Sequence, residues 1–179
     1  MQLTFRLSED DFLQAFLYHW STDQNLRSKR RRNTIILAAF SLIIGFICFW
    51  DNITSCVIFF FIALILNIFY PFYVKVRIEN TYRKFIRENY KEKTNILQFI
   101  EFKNNSIKIE SELGDNSINY SAFQSFIETK HYYYLNMKTS DKIIVPKNSI
   151  QNNSAFKDLL HNISDTHKFA YIENLNWKF

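Results

Sequence analysis

Chemistry in a protein needs nucleophiles, metal ligands or phosphate cradles at particular spacings, and this chain offers few of them. Its cysteines, Cys48 and Cys56, form no C-x-x-C pair, and His19, His131, His161 and His167 fall in different segments. Spacing therefore supports neither a redox dithiol nor a zinc site. With only Gly45 and Gly114 there is no glycine-rich loop to turn backbone amides toward a phosphate. Neither H-E-x-x-H nor G-x-S-x-G occurs, and the acids are spread along expected surfaces. The inventory reads as no enzyme, with no catalytic residue, no cofactor and no metal; the expected activity is binding.

What remains chemically pointed is positive charge. Arg30, Arg31 and Arg32 stand in a row, and Lys75 and Arg77 open a second basic stretch that continues to Arg83 and Lys84. Such a run can take an anionic headgroup or a nucleic acid, but these residues flank two uncharged apolar runs, residues 34–50 and 53–74. The runs are roughly 17 and 22 residues long, which brackets what a helix needs to cross hydrocarbon. Basic flanks of this kind mark the cytoplasmic side, so both termini are expected there, with the break at Asp51-Asn52 outside. The formal net charge of +5 is then attraction to anionic lipid, and no nucleic-acid partner is expected.

The expected hairpin is apolar all the way round, as it is when the solvent is lipid. A soluble core hairpin is set aside, because such helices rarely lose every charge over these lengths. A signal peptide is set aside as well, since a polar stretch precedes the first run and Phe49-Trp50-Asp51-Asn52 is no small-residue cleavage site. Cys48 and Cys56 read as small buried hydrophobes near the outer turn, with a disulfide as the alternative. Asn67 is expected to make a helix-to-helix hydrogen bond, and Pro71 a kink near residues 67–71.

The elements around the hairpin follow from period. Residues 2–7 alternate like a half-buried strand, and Ser8 is placed to cap a helix whose first turn carries Glu9, Asp10 and Asp11. Residues 1–32 thus form a strand, an amphipathic helix and a basic flank; residues 33–74 the hairpin; residues 75–93 one cytoplasmic exit helix. From Asn95 the period becomes two, and six short strands up to Pro146 are expected to form one antiparallel meander, with turns at Asn104-Asn105 and residues 113–116. Asn153 or Ser154 opens a helix with Phe156, Leu159, Leu160 and Ile163 on one side. Residues 94–168 make the β domain, and the tail, residues 169–179, reads equally as a strand or as flexible. The opening strand is expected to pair with an edge of the distant sheet, since such edges need a neighbour.

This order of parts resembles the YcxB-like membrane proteins of bacteria. The resemblance is carried by Ile118-Asn119-Tyr120-Ser121-Ala122-Phe123 at an aromatic-then-polar corner and by Ile143-Ile144-Val145-Pro146-Lys147 at a strand end. Tyr120 stands where a tryptophan is expected, and the chain runs on past His167. The resemblance implies an α+β membrane protein, a two-helix transmembrane hairpin carrying a small antiparallel β domain, pleckstrin-homology-like in outline, with Tyr120, Pro146 and Lys147 as its signature. It implies no activity. The expected function is a non-catalytic binding module at the inner membrane, its partners the lipid bilayer and another protein or a second copy. The alternative is an immunity protein against a cognate secreted toxin.

Overall fold

The computed structural model describes residues 1–48 and 53–179. The Asp51-Asn52 break lies outside the described residues, as do the side chains of Arg30, Cys48 and Cys56, so the expectations for them have no structural counterpart. The chain divides into two units, Met1–Ala15 with Phe85–Phe179, and Phe16–Lys84. Each is taken by itself.

The first unit is built on a pairing between distant segments. Strand β1, Gln2–Arg6, runs antiparallel to β2, Leu97–Phe102, with Leu3 opposite Ile100 and Phe5 opposite Gln98. Alternation buries Leu3 and Phe5, leaves Gln2, Thr4 and Arg6 exposed, and is followed by buried Leu7. β3, Ser106–Ser111, and β4, Gly114–Asn119, complete the order β1-β2-β3-β4. β5, Phe123–Thr129, β6, Tyr132–Met137, β7, Lys142–Pro146, and β8, Ala170–Asn174, form a second sheet in the order β7-β6-β5-β8. All pairings are antiparallel except β5 with β8. The fold is therefore α+β with largely antiparallel sheets.

Two expectations are corrected here, and one left open is decided. The single meander is two sheets, because a 3-10 turn at Tyr120–Ala122 redirects the chain between β4 and β5. The β3–β4 turn is Glu112-Leu113 rather than residues 113–116: Gly114 already pairs with Ser111 and takes φ +127°, where a side chain would be strained. The tail is a strand, β8, because α4, Asn153–His167, carries the chain back across the sheet to lie parallel to β5. Helix α4 is capped by Asn152, one position before the expected openers, its side-chain oxygen accepting from Ala155 N at 3.1 Å. Lys168 ends the helix with φ 57°.

The core of this unit meets at Phe156 of α4, which is fully buried. Its ring packs edge-on against Phe102 of the first sheet, centroids 5.3 Å apart, and against Tyr133 of the second, at 5.1 Å. One side chain thus fastens both sheets to the helix. Helix α1, Glu9–Thr22, begins in this unit with the expected cap: Ser8 N donates to the Asp11 carboxylate at 2.7 Å and Asp11 N to Ser8 Oγ at 3.3 Å. Phe12 meets Tyr90 at 5.2 Å, and Arg87 Nε reaches Glu9 Oε2 at 3.1 Å.

The second unit holds the rest of α1, helix α2, Gln24–Cys48, and most of α3, Ile53–Asn89. Asp23 separates α1 from α2 and caps the latter by accepting from Leu26 N at 3.0 Å, so the basic flank is the first part of a helix. α3 is helical through Pro71. It ends at Asn89, not at residue 93, and a 3-10 turn at Lys91–Lys93 follows. Asn95, at φ 61°, then turns the chain so that its N–H donates to Leu7 O at 2.8 Å and β2 can begin. The amide of Asn67 donates to Ala63 O of its own helix at 2.8 Å, where a bond between helices was expected. Among the described residues one helix, over Phe60–Asn89, is long and apolar enough to cross a membrane.

The β1–β2 pairing yields a contrast between neighbouring residues. Phe5 is 6% exposed, whereas Arg6 points to solvent. Phe5→Asp loses roughly 1.5–3 kcal/mol of burial and puts a charge in its place. It is expected to strip protease resistance from residues 97–174, whereas Arg6→Asp leaves it nearly unchanged; limited proteolysis of the two full-length variants measures the difference, and equal effects would exclude β1 from the sheet.

Candidate functional site

In the first unit several charged groups converge on Glu128. This residue sits in β5 within the run Phe126, Ile127, Glu128, Thr129, all buried, where an unpaired carboxylate would be costly. Lys147, just after β7, donates to Glu128 Oε1, and the Tyr133 hydroxyl donates to the same oxygen at 3.4 Å. The Tyr171 hydroxyl of β8 donates to Oε2 at 2.8 Å, and Lys157 Nζ of α4 lies 3.4 Å from it. Lys157 also reaches Glu173 Oε1 at 2.8 Å, and His161 Nε2 stands 3.9 Å from that oxygen. The His161 and Tyr171 rings are 3.8 Å apart between centroids. Lys147 lies over the Tyr133 ring, 4.8 Å from its centroid, a cation–π contact.

Two carboxylates and two ammonium groups balance. Burial pushes the Glu128 carboxyl up, but hydrogen bonds from Lys147 and Tyr171 and the two ammonium charges outweigh it and hold the group below the usual carboxylate range. The Tyr171 and Tyr133 hydroxyls are pushed up, first by burial and then by Glu128. Both oxygens of Glu128 are taken by donors, so it is a poor base and a good clasp. It ties the β7 end, α4 and β8 to β5.

The signature residues divide into two jobs. Lys147 belongs to this clasp, and buried Pro146 ends β7 opposite Tyr132. Tyr120 is the corner instead: fully buried, it donates through its hydroxyl to Lys103 O at 2.8 Å and packs on His167, ring centroids 5.0 Å apart. Burial pushes that hydroxyl up to about 12, which keeps it a donor throughout the physiological range. Arg31, Arg32, Lys75 and Arg77 are exposed and lie in the second unit, away in sequence from the clasp. Among the described residues, no three His, Cys, Asp or Glu side chains converge as metal ligands.

Glu128, Lys157, Tyr171 and Glu173 escaped the sequence reading. One signal existed: Glu128 is the lone acid in its strand, next to the tyrosine-rich strand Tyr132-Tyr133-Tyr134. Its partners come from four elements, and no spacing rule joins those.

Because the Glu128 carboxyl is held below its ordinary value, the clasp contributes stability that is fully present above about pH 4.5 and is lost as pH falls through the lower folded value. Glu128→Gln is expected to cost about 1–3 kcal/mol at pH 7, as for a buried partner removed from charged donors. Glu173→Gln, at the exposed rim, is expected to cost about half a kcal/mol or less. Thermal unfolding of the full chain at pH 7 and pH 3 measures this, and the gap between wild type and Glu128→Gln should narrow at the lower pH.

No curated protein and no solved structure matches the chain. A family model, described as YcxB-like protein, matches residues 102–161, a stretch that runs from the end of β2 into α4 and includes Tyr120, Glu128, Pro146, Lys147 and Lys157. Over that segment the chain is similar to the YcxB-like family, as its corner and its proline-lysine strand end implied.

Proposed function

We propose that this is an integral protein of a bacterial cytoplasmic membrane, anchored by a two-helix hairpin, whose β unit is a non-catalytic module that binds another protein at the cytoplasmic face. The observation that carries the reading is the surface of α3. Ile58, Phe61, Leu66, Phe69 and Phe72 are all more than half exposed, and Ile35, Ile36, Phe40, Leu42 and Ile43 of α2 are equally bare. In water such a surface far exceeds what a soluble monomer tolerates; in lipid it is the ordinary state of a spanning helix. Spans at residues 34–50 and 53–74 with basic residues at both inner ends would return the chain to its starting side, where residues 2–6 and 97–102 pair. Two four-stranded sheets closed by a helix agree in outline with pleckstrin-homology-like modules, which supports binding over catalysis. The clasp at Glu128 agrees too, since its groups are spent on one another.

The topology is tested by placing Asn105→Cys in a chain whose Cys48 and Cys56 are changed to Ser. An impermeant thiol reagent is expected to spare that position in intact cells and to label it after lysis, while the chain stays in the membrane fraction at alkaline pH. Labelling in unbroken cells would overturn the orientation. Release into the soluble fraction would overturn the anchor. The non-catalytic reading falls if the purified chain turns over a substrate and loses that turnover when one acid or histidine is changed.

A further inference from the structure

The first sheet ends on one side at β1, whose free edge belongs to the first unit. Met1 O accepts from Phe102 N at 2.9 Å, which fixes the phase of the ladder: Leu3 and Phe5 turn their peptide groups toward β2, and Gln2, Thr4 and Arg6 turn theirs away. Among the described residues, no backbone hydrogen bond from another segment takes those outward groups. Part of the edge has a second wall. The chain leaving β7 passes through a 3-10 turn, Lys147–Ser149, and Ser149 and Gln151 enclose with residues 1–4 a slot of about 270 Å³. The Ser149 hydroxyl donates to Pro146 O at 2.6 Å, so its oxygen can still accept. Beyond the slot, Arg6 is exposed and, among the described residues, joins no ion pair.

We infer that the free edge of β1 receives an extended segment of another protein, added to the sheet as a fifth strand and carrying an acidic residue beside Arg6. The inference rests on the binding-module reading of the β unit and names how the partner is held. The outward donors and acceptors belong to Gln2, Thr4 and Arg6, whereas Leu3 and Phe5 are buried, so an incoming main chain is bonded without disturbing the core. A slot walled by peptide groups, a hydroxyl and an amide suits main chain better than an apolar anchor. Arg6 sets the charge of the partner, because opposite charges on neighbouring strands stabilise a pairing and like charges oppose it. A second copy of the chain has the wrong shape. Its β1 could enter the slot only with its own β2 behind it, in the space that Ser149 and Gln151 occupy, whereas a single segment has no sheet behind it.

The probe is a blocked heptapeptide of alternating threonine and valine with one central glutamate, labelled with a fluorophore and titrated into the full chain in a neutral detergent, with anisotropy as the readout. It is expected to bind, and its counterpart with lysine in place of glutamate to bind roughly fivefold more weakly. In Arg6→Asp that order is expected to reverse. The glutamate peptide N-methylated throughout has no N–H to give to the outward carbonyls of β1 and is expected not to bind. Thr4→Pro removes one outward N–H that the ladder to β2 does not use, so limited proteolysis is expected to find residues 97–174 still protected while both peptides bind about tenfold more weakly or worse. Should Thr4→Pro lose that protection, the N-methylated peptide and the charge reversal still decide the question. No binding, equal binding of the N-methylated peptide, a charge preference that Arg6→Asp leaves unmoved, or a dimer of the chain that the peptide disperses would each overturn the site. A chain that neither binds the peptide nor turns it over loses only this site, whereas one that cleaves it loses the binding-module reading as well.

Discussion

The β unit depends on a pairing between residues at opposite ends of the chain's apolar insertion. Gln2–Arg6 is hydrogen-bonded to Leu97–Phe102, and the apolar residues of this segment, Leu3, Phe5 and Leu7, are all buried. Without that strand the β2 edge would be open, with its ladder groups unpaired and Ile100 short of a neighbour. Closing such a loop costs chain entropy, but the cost grows only slowly with length. A long insertion is therefore tolerated thermodynamically, provided the pairing that closes it is apolar enough.

Polar contacts then decide where the remaining elements dock. Apolar burial holds Phe156 against rings of both sheets, yet it is not directional, and several placements of α4 and β8 would cover the same rings. The clasp around Glu128 is directional: two ammonium groups and two tyrosine hydroxyls converge on one carboxylate, and leaving it unpaired would be expensive. Tyr171 and Glu173 lie beyond the residues that match the YcxB-like model, whereas Glu128, Lys147 and Lys157 lie within them. Residues 171 and 173 thus supply a donor and an acceptor to a charged centre built by the segment similar to that family.

Helix α3 carries two kinds of surface on one backbone. Its first part bares Phe and Ile side chains on every side, and its last residues belong to the β unit, where Ile86 is 1% exposed. Between them the pattern narrows from all-round apolar to a stripe, the change expected where a helix leaves one solvent for another.

Local rules made much of this legible from residue order. Period two placed β1, β2, β3 and β5 to β7, Ser8 and Asp11 announced the start of α1, and the apolar face of β1 required a partner edge, because alternation and capping act over a few residues and are written directly in their spacing. The likeness to the YcxB-like family was legible also, since the corner at Tyr120 and the strand end at Pro146-Lys147 are contiguous motifs inside the matched residues. What order alone left open depends on contacts between distant residues. Nothing near Tyr120 says that its hydroxyl will find Lys103 O and split one meander into two sheets. Nothing in residues 170–174 distinguishes a strand from a loose end until α4 has returned them to β5. Glu128 looks like any strand acid until Lys147, Lys157 and Tyr171 are brought from three other elements to meet it. Those outcomes were decided by tertiary structure, because a buried polar group is stable only where the whole fold delivers its partners.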